Sequence, residues 1–313
     1  MDNTEEALRT ISKYIVKHGT TNFLATTLTS SKETLKEVLE KIGKLQNEDI
    51  EGATIFGAHM EGPYFDVQYK GAQNDKYITP AGVKEIEEYL SVKPGLVKLF
   101  SMAAKGEGAL ESIKYLKENG VVVSVGHSGI SFEEVQSAVK AGISHATHTF
   151  NGMKGFTHRE PGVAGAVMVN DNINAEIIFD KIHVHPEAVR LLIKAKGVDK
   201  VVCITDAMCA TGLPAGNYKL GELDVYVKDG QARLVSNDSL AGSVLTLDKA
   251  FKHVIELGYS IFDAVKMTST NAAKEFGLNA GILQEGKDAD IVVLNPDYSV
   301  DMTIVKGNIK YQA

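Results

Sequence analysis

One repeated pattern dominates the sequence: a short apolar run is followed by a polar turn and then by a longer amphipathic segment. Such alternation is typical of βαβ units, and therefore of a parallel sheet covered by helices. The apolar runs predict strands at residues 22–27, 54–58, 96–101, 121–125, 146–150, 175–179 and 200–205. The amphipathic segments predict helices at residues 5–17, 33–42, 80–90, 108–118, 132–141 and 186–195.

The number of strands limits the fold. A closed (β/α) barrel needs eight strands, because strand number, tilt and shear are tied together, and the pattern supplies seven. After residue 205 the pattern changes: residues 218–235 alternate around Lys228-Asp229-Gly230 and predict a hairpin, and residues 245–257 and 261–276 predict helices. We therefore predict an α/β fold, a TIM-type (β/α)8 barrel whose first strand is absent from this chain and would precede residue 1.

The C-terminal segment has a different pattern. Residues 286–290 lead into apolar runs at residues 291–294 and 303–305, with a turn at residues 306–308. An isolated pair of strands is only marginally stable in water, so these runs need partners, and strands upstream of residue 1 would supply them. We predict a barrel domain at residues 1–283 and, at residues 284–313, the remnant of a small β-sandwich domain.

Composition and charge argue against several classes of protein. The balance of 44% hydrophobic and 23% charged residues is that of a globular protein with a large core. The net charge of −7, without blocks of consecutive Lys and Arg, argues against nucleic acid as a partner. The first ten residues do not resemble a secretory leader, and no apolar run approaches the length of a membrane span. We expect a cytoplasmic homodimer with no membrane partner.

The residues able to perform chemistry follow the predicted strands, because active sites of parallel barrels form at the carboxyl ends of the strands. Glu61 follows the second run, His127 the fourth and His148 lies in the fifth. One carboxylate and two imidazoles could bind Zn²⁺ or a similar ion and leave positions open for water and substrate. Each residue alone could instead cap a loop or fill the core, but the three together favour a metal site.

Other polar residues leave alternatives open. Asp206, after the last run, could take a proton from water and deliver it to a leaving nitrogen, and an equal alternative is that it caps a helix. Arg159 could bind a phosphate or carboxylate through its guanidinium, or it could form a surface ion pair with Glu160. His183 could meet the substrate. The remaining histidines that we predict to be structural are His18, His145 and His253.

Eight motifs run in order along nearly the whole chain: Gly19-Thr20-Thr21, His59-Met60-Glu61-Gly62-Pro63, Gly126-His127-Ser128, Ala146-Thr147-His148, Arg159-Glu160-Pro161-Gly162, Thr205-Asp206-Ala207, Leu240-Ala241-Gly242-Ser243 and Gly286-Lys287-Asp288-Ala289-Asp290. In this order they resemble the amidohydrolase superfamily and, within it, the N-acetylglucosamine-6-phosphate deacetylases. One such motif would be weak support, whereas the ordered series is specific.

The resemblance implies a metal-dependent deacetylase that converts N-acetyl-D-glucosamine 6-phosphate to glucosamine 6-phosphate and acetate. It implies a divalent metal bound by Glu61, His127 and His148, with Asp206 as the general base and then the acid. Zinc is the metal that we expect, with iron, manganese or cobalt as alternatives. The residues that would bind the phosphosugar are Ala72, Gln73, Asn151, Gly152, Arg159, His183, Leu240, Ala241 and Gly242.

The sequence departs from the family's pattern at two places. Family members carry a His-x-His pair, or a variant of it, at the end of the first barrel strand, and this sequence begins after that place, so we expect one metal ion. Gln73 stands where some members have a histidine. Two alternatives stay open: an inactive truncated fragment, or an amidohydrolase that acts on another cyclic amide.

Overall fold

The computed structural model describes residues 2–313. Within that range one sheet contains seven parallel strands, in the spatial order in which they occur along the chain. The strands are β1 (Asn22–Thr26), β2 (Thr54–Glu61), β3 (Val97–Met102), β4 (Val122–Val125), β5 (Ile143–Ala146), β6 (Asn174–Ile178) and β7 (Val201–Ile204). The predicted series of seven strands is confirmed. The sheet is open in the described part of the chain, because β1 and β7 each pair with one strand, and an eighth strand upstream of residue 1 stays a prediction.

Helices follow the strands and cover the sheet. Their starts and ends have local causes: Ser131 begins one helix with a capping box to Glu134, Pro186 occupies the first turn of another, and Lys194 and Lys196 lie in its last turn. The helices are α1 (Glu5–Ile15), α2 (Lys32–Leu45), α3 (Val83–Ser91), α4 (Ala109–Glu118), α5 (Phe132–Ala141), α6 (Gly162–Val169), α7 (Pro186–Lys196), α8 (Leu247–Glu256), α9 (Ile261–Val265) and α10 (Asn271–Glu275).

Three sequence predictions need correction. The fifth strand was predicted at residues 146–150, but β5 ends at Ala146, because His148 and Phe150 have positive φ angles of 31° and 81°, which no strand accommodates. The predicted helix at residues 261–276 is divided by a π-helical turn, Lys266–Thr270, between α9 and α10. Helix α6 was missed, because it is almost wholly apolar and buried over most of its length, so it shows no 3.6-residue periodicity.

A small antiparallel sheet follows β7. It contains β8 (Gly216–Leu220), β9 (Leu223–Lys228) and β10 (Gln231–Leu234), and it has its own apolar cluster around Val225 and Ala241. Asp229 and Gly230 join β9 to β10 with φ angles of 51° and 74°, as a two-residue hairpin turn requires. The predicted hairpin is thus confirmed.

The C-terminal strands form a sheet of their own: β11 (Ile291–Leu294), β12 (Val300–Val305) and β13 (Asn308–Gln312), all antiparallel. This sheet packs against the segment after α1, where Val305 joins Val16 and Ala53 in a buried cluster. The division of the chain at residue 283 stays a prediction. No helix between residues 2 and 313 has both the length and the apolar character needed to cross a bilayer.

The core lies between the main sheet and its helices, and Phe100 on β3 is at its centre. Its side chain is 0% exposed and its ring stacks against that of Tyr64 at 5.7 Å between centroids. Phe262 on α9, by contrast, is 81% exposed. The two residues form a matched pair for testing where the fold is stabilised.

We expect Phe100→Ala to lower the free energy of unfolding by about 3–5 kcal/mol, because it leaves a cavity in a close-packed core. Phe262→Ala should change it by no more than about 0.5 kcal/mol. Urea denaturation of both variants measures the difference. Equal losses would contradict the placement of Phe100 in the core.

Candidate functional site

The predicted site residues lie together at the carboxyl edge of the main sheet. Glu61 is the last residue of β2, and His127, His148 and Asp206 each stand two residues beyond the end of β4, β5 and β7. The last three have positive φ angles of 48°, 31° and 48°. Non-glycine residues rarely adopt this conformation, and such strain clusters at functional sites. The chain therefore leaves the sheet at these points by strained turns rather than by relaxed loops.

Glu61, His127 and His148 bring three ligand atoms together. Oε1 of Glu61 lies 3.0 Å from Nε2 of His127 and 3.6 Å from Nε2 of His148, and the two nitrogens are 3.1 Å apart. All three residues are buried. Among the residues from 2 to 313, this is the group of His, Cys, Asp and Glu side chains whose ligand atoms converge closely enough to hold a metal ion.

The contacts of Nδ1 in His127 and His148 determine which ring nitrogen faces Glu61. Nδ1 of His127 lies 2.9 Å from the carbonyl oxygen of Tyr69, and Nδ1 of His148 lies 3.1 Å from that of Asn151. A carbonyl only accepts, so each Nδ1 carries a proton and each Nε2 faces Glu61 as the atom through which the ring could bind a metal ion. Two ring nitrogens and a carboxylate oxygen at these distances need a positive charge between them, which a proton on Nε2 or a metal ion can supply. The donor set therefore fits a divalent metal, and the carbonyl contacts orient the histidines as metal sites require.

The electrostatics of the cluster also favour a positive charge. Burial alone would raise the pKa of Glu61, but its contacts with His127 and His148 hold it well below the ordinary value. Burial lowers the pKa of His148, yet the hydrogen bond and charge of Glu61 outweigh burial and raise it to about 9. The carboxylate thus remains ionised at neutral pH and attracts a cation.

Gln73 contacts the cluster from the loop after β2. Its amide nitrogen donates to Oε1 of Glu61 at 3.0 Å, and its amide oxygen accepts from the backbone N–H of Thr29 at 2.9 Å. The sequence predicted Gln73 as a substrate-binding residue. The structure places its side chain on a predicted metal ligand, so its amide orients the Glu61 carboxylate.

Asp206 lies beside the cluster. Burial, together with the negative charge of Glu61, raises its pKa to about 7. The alternative that Asp206 caps a helix is wrong, because in the described chain no helix begins there. His183 acts in the opposite direction and lowers the pKa of Asp206. Nδ1 of His183 lies 2.6 Å from Oδ2 of Asp180. The raised pKa of Asp206 suits a group that accepts and releases a proton near neutral pH.

The predicted Leu240-Ala241-Gly242 loop is attached to both the hairpin and Asp206. Ala241 donates its N–H to the carbonyl of Ala232 on β10 at 3.0 Å, and the N–H of Ser243 donates to the carbonyl of Asp206 at 2.7 Å. Gly242 has a φ of 61°, and a Cβ there would lie 3.1 Å from the carbonyl oxygen of Asp206. This close approach places the loop next to Asp206.

The remaining predicted residues lie around the same edge. Gly152, with a φ of 58°, packs so closely against His127 that a Cβ would lie 2.9 Å from Nδ1. Ala72 packs against the apolar cluster of the hairpin sheet. Arg159 is exposed, and Glu160 pairs with Lys154 at 3.6 Å, so the proposed Arg159–Glu160 ion pair is absent from the described residues.

Sequence reasoning missed Glu176, which lies inside β6. Its carboxylate accepts the backbone N–H of His148 at 3.2 Å and contacts Nε2 of His145 at 2.9 Å. A charged residue within the apolar run of residues 174–179 was the available signal, since buried carboxylates are rare unless they are paired.

Comparisons with known proteins place these features in a family. The amidohydrolase family model matches residues 1–310. N-acetylglucosamine-6-phosphate deacetylase of Lysinibacillus sphaericus is 39% identical over 314 residues, which cover 100% of this chain and 81% of that protein. The protein of the same name from Bacillus subtilis (strain 168) is 36% identical, with 99% of this chain and 80% of that protein covered.

Solved structures agree with the sequence comparisons. The deacetylase of Thermotoga maritima matches with a TM-score of 0.91 and 36% identity, over 97% of this chain and 82% of that one. A variant of the Mycobacterium smegmatis enzyme, in complex with N-acetyl-D-glucosamine-6-phosphate, matches with a TM-score of 0.92 and 31% identity, over 99% of this chain and 81% of that one.

We expect His127→Ala and His148→Ala each to lose most of the bound metal, because each removes one of three ligand atoms. His158→Ala, whose side chain is exposed, should retain the wild-type metal content. Elemental analysis after dialysis against zinc measures the stoichiometry. Full metal content in both ligand variants would remove this ligand set.

Proposed function

The chain belongs to the amidohydrolase family, and from this premise we propose that it hydrolyses the acetamide of N-acetyl-D-glucosamine 6-phosphate to glucosamine 6-phosphate and acetate. The observation that carries the proposal is the convergence of Glu61, His127 and His148 beside Asp206. Relatives that carry the name of this activity are 36–39% identical over 99–100% of the chain. The further proposal that the protein acts as a cytoplasmic homodimer rests on the sequence alone.

We propose zinc as the metal, with iron, manganese or cobalt as alternatives, because one carboxylate and two imidazoles suit Zn²⁺ and leave positions open. When bound, the ion would polarise the acetyl carbonyl and lower the pKa of a water molecule. Glu61, His127 and His148 would hold it, and their carbonyl and amide contacts keep the ligand atoms in place before it arrives.

Asp206 is the proposed proton carrier. It takes a proton from the water that attacks the acetyl carbon and then delivers that proton to the amide nitrogen as the C–N bond breaks, so that acetate and the amine leave. Its place two residues beyond β7, with the N–H of Ser243 donating to its backbone carbonyl, keeps the carboxylate next to the ligand cluster. His183, whose Nδ1 lies 2.6 Å from Oδ2 of Asp180, is proposed to contact the sugar.

Arg159 is the proposed phosphate ligand. Its guanidinium is exposed and forms no ion pair within the described residues, so it is available to an anion. The other proposed contacts to the phosphosugar are Ala72, Gln73, Asn151, Gly152, Leu240, Ala241 and Gly242, of which Gln73 acts through Glu61. A relative from Escherichia coli O157:H7 named N-acetylgalactosamine-6-phosphate deacetylase is 33% identical, so the epimeric sugar is the appropriate second substrate to test.

We expect purified chain with added zinc to release acetate from N-acetyl-D-glucosamine 6-phosphate, and Asp206→Asn to lower kcat by about 10²–10⁴-fold, because the proton carrier is lost. The variant should keep the wild-type zinc content. Acetate release and metal analysis on the same preparations check both statements. Absence of turnover in the wild type with full zinc would favour the inactive alternative, and unchanged turnover in Asp206→Asn would remove its role.

We expect Arg159→Ala to lower kcat/KM for the 6-phosphorylated sugar by about 1.5–3 kcal/mol of transition-state stabilisation, because a charge-assisted contact is lost. The loss for N-acetyl-D-glucosamine itself should be much smaller. Arg190→Ala, which removes a partly exposed arginine of α7 paired with Glu187, is the matched control. Equal losses on both sugars would show that Arg159 has a structural role.

A further inference from the structure

A series of buried charged side chains, each in contact with the next, lies beside the ligand cluster. Glu176 lies on β6 and is 5% exposed, and both of its carboxylate oxygens have partners. Oε2 accepts the backbone N–H of His148 at 3.2 Å, and Oε1 lies 2.9 Å from Nε2 of His145 on β5. One carboxylate thus connects a predicted metal ligand to a fully buried histidine.

The series of charged side chains continues from His145 to the C-terminal helices. Nδ1 of His145 lies 2.9 Å from Oε1 of Glu275 at the end of α10, and the His145 side chain is 0% exposed. Burial lowers the pKa of His145, but the carboxylates of Glu275 and Glu176 raise it to about 10. The ring is therefore an imidazolium that donates to a carboxylate on each side.

The conformation of His148 explains why it needs such a contact. Its φ of 31° takes the backbone out of the strand, so its N–H is no longer directed along the sheet ladder. Glu176 binds this turn twice, because its backbone carbonyl also accepts the N–H of Thr149 at 2.9 Å. Strained backbone conformations persist where several surrounding contacts hold them in place. Glu176 supplies two such contacts to the turn of His148.

We propose that Glu176 is a positioning residue that fixes the turn of His148, and that the His145–Glu275 pair fixes Glu176 in turn. The inference rests on the proposed metal site but assigns a role to residues outside the ligand set. It predicts that the length of the Glu176 side chain determines zinc affinity, whereas the length of Glu275, one step further away, affects mainly stability.

The test compares two equivalent changes. Glu176→Asp keeps the charge but shortens the side chain, so that it no longer bridges His145 and the N–H of His148, and Glu275→Asp makes the same change at the far end. We expect zinc affinity, measured by competition with a chromophoric chelator on metal-free protein, to fall about 10–100-fold in Glu176→Asp and less than about threefold in Glu275→Asp. The visible absorption of cobalt-substituted protein should change in the first variant only.

Glu176→Gln provides the rescue, because its amide oxygen can accept the N–H of His148 while its NH2 donates to Nε2 of a His145 that has lost its second proton, and we expect wild-type affinity within about threefold. Should Glu176→Asp fail to fold, Glu176→Asn and Glu275→Asn make the same comparison without a carboxylate at the substituted position. Wild-type affinity in the shortened Glu176 variant, or equal losses in both shortened variants, overturns the inference. A wild-type protein that binds no zinc overturns the proposed metal site as well, which separates the two failures.

Discussion

Two imidazole nitrogens and a carboxylate oxygen meet in a buried space at the carboxyl edge of the sheet, and the surrounding contacts hold them there. Such groups are expensive to bury without partners. Each is therefore fixed from behind: a backbone carbonyl contacts Nδ1 of His127 and of His148, and an amide donates to Glu61. Tyr69 and Gln73 supply two of these contacts from the segment between β2 and α3, and Asn151 supplies the third from the segment after β5.

Backbone strain is the second part of that arrangement. His127, His148 and Asp206 adopt positive φ angles, at a cost on the order of 1–3 kcal/mol each. The hydrogen bonds that Glu176 accepts from the turn of His148, and the one that Ser243 donates to Asp206, offset part of this cost. A chain with relaxed turns at these points would be more stable but would direct the side chains elsewhere. The strained turns thus lower the stability of the fold but hold the side chains of the site in position.

Much of the fold could be predicted because burial leaves a trace in the sequence. The seven apolar runs gave the main strands and their order, and the strand ends gave Glu61, His127, His148 and Asp206 as residues that share one edge. The fifth strand was misplaced because Thr147 to Phe150 alternate like a strand, while positive φ angles turn them away from the sheet. Gln73 and Glu176 could not be assigned to their partners, since contacts between residues 12 and 28 positions apart leave no local pattern.

The hairpin sheet has a consequence for how this chain tolerates changes in length. Its last strand pairs with the loop at residues 240–242, and that loop returns directly to the backbone of Asp206. An insertion near Leu234 would therefore displace the carboxylate through the backbone. An insertion at Asp229-Gly230 would instead extend into solvent, because the turn lies at the opposite end of the same strand. We therefore expect insertions and deletions in sequences that descend from this one to occur at the Asp229-Gly230 turn and to be rare at residues 240–242.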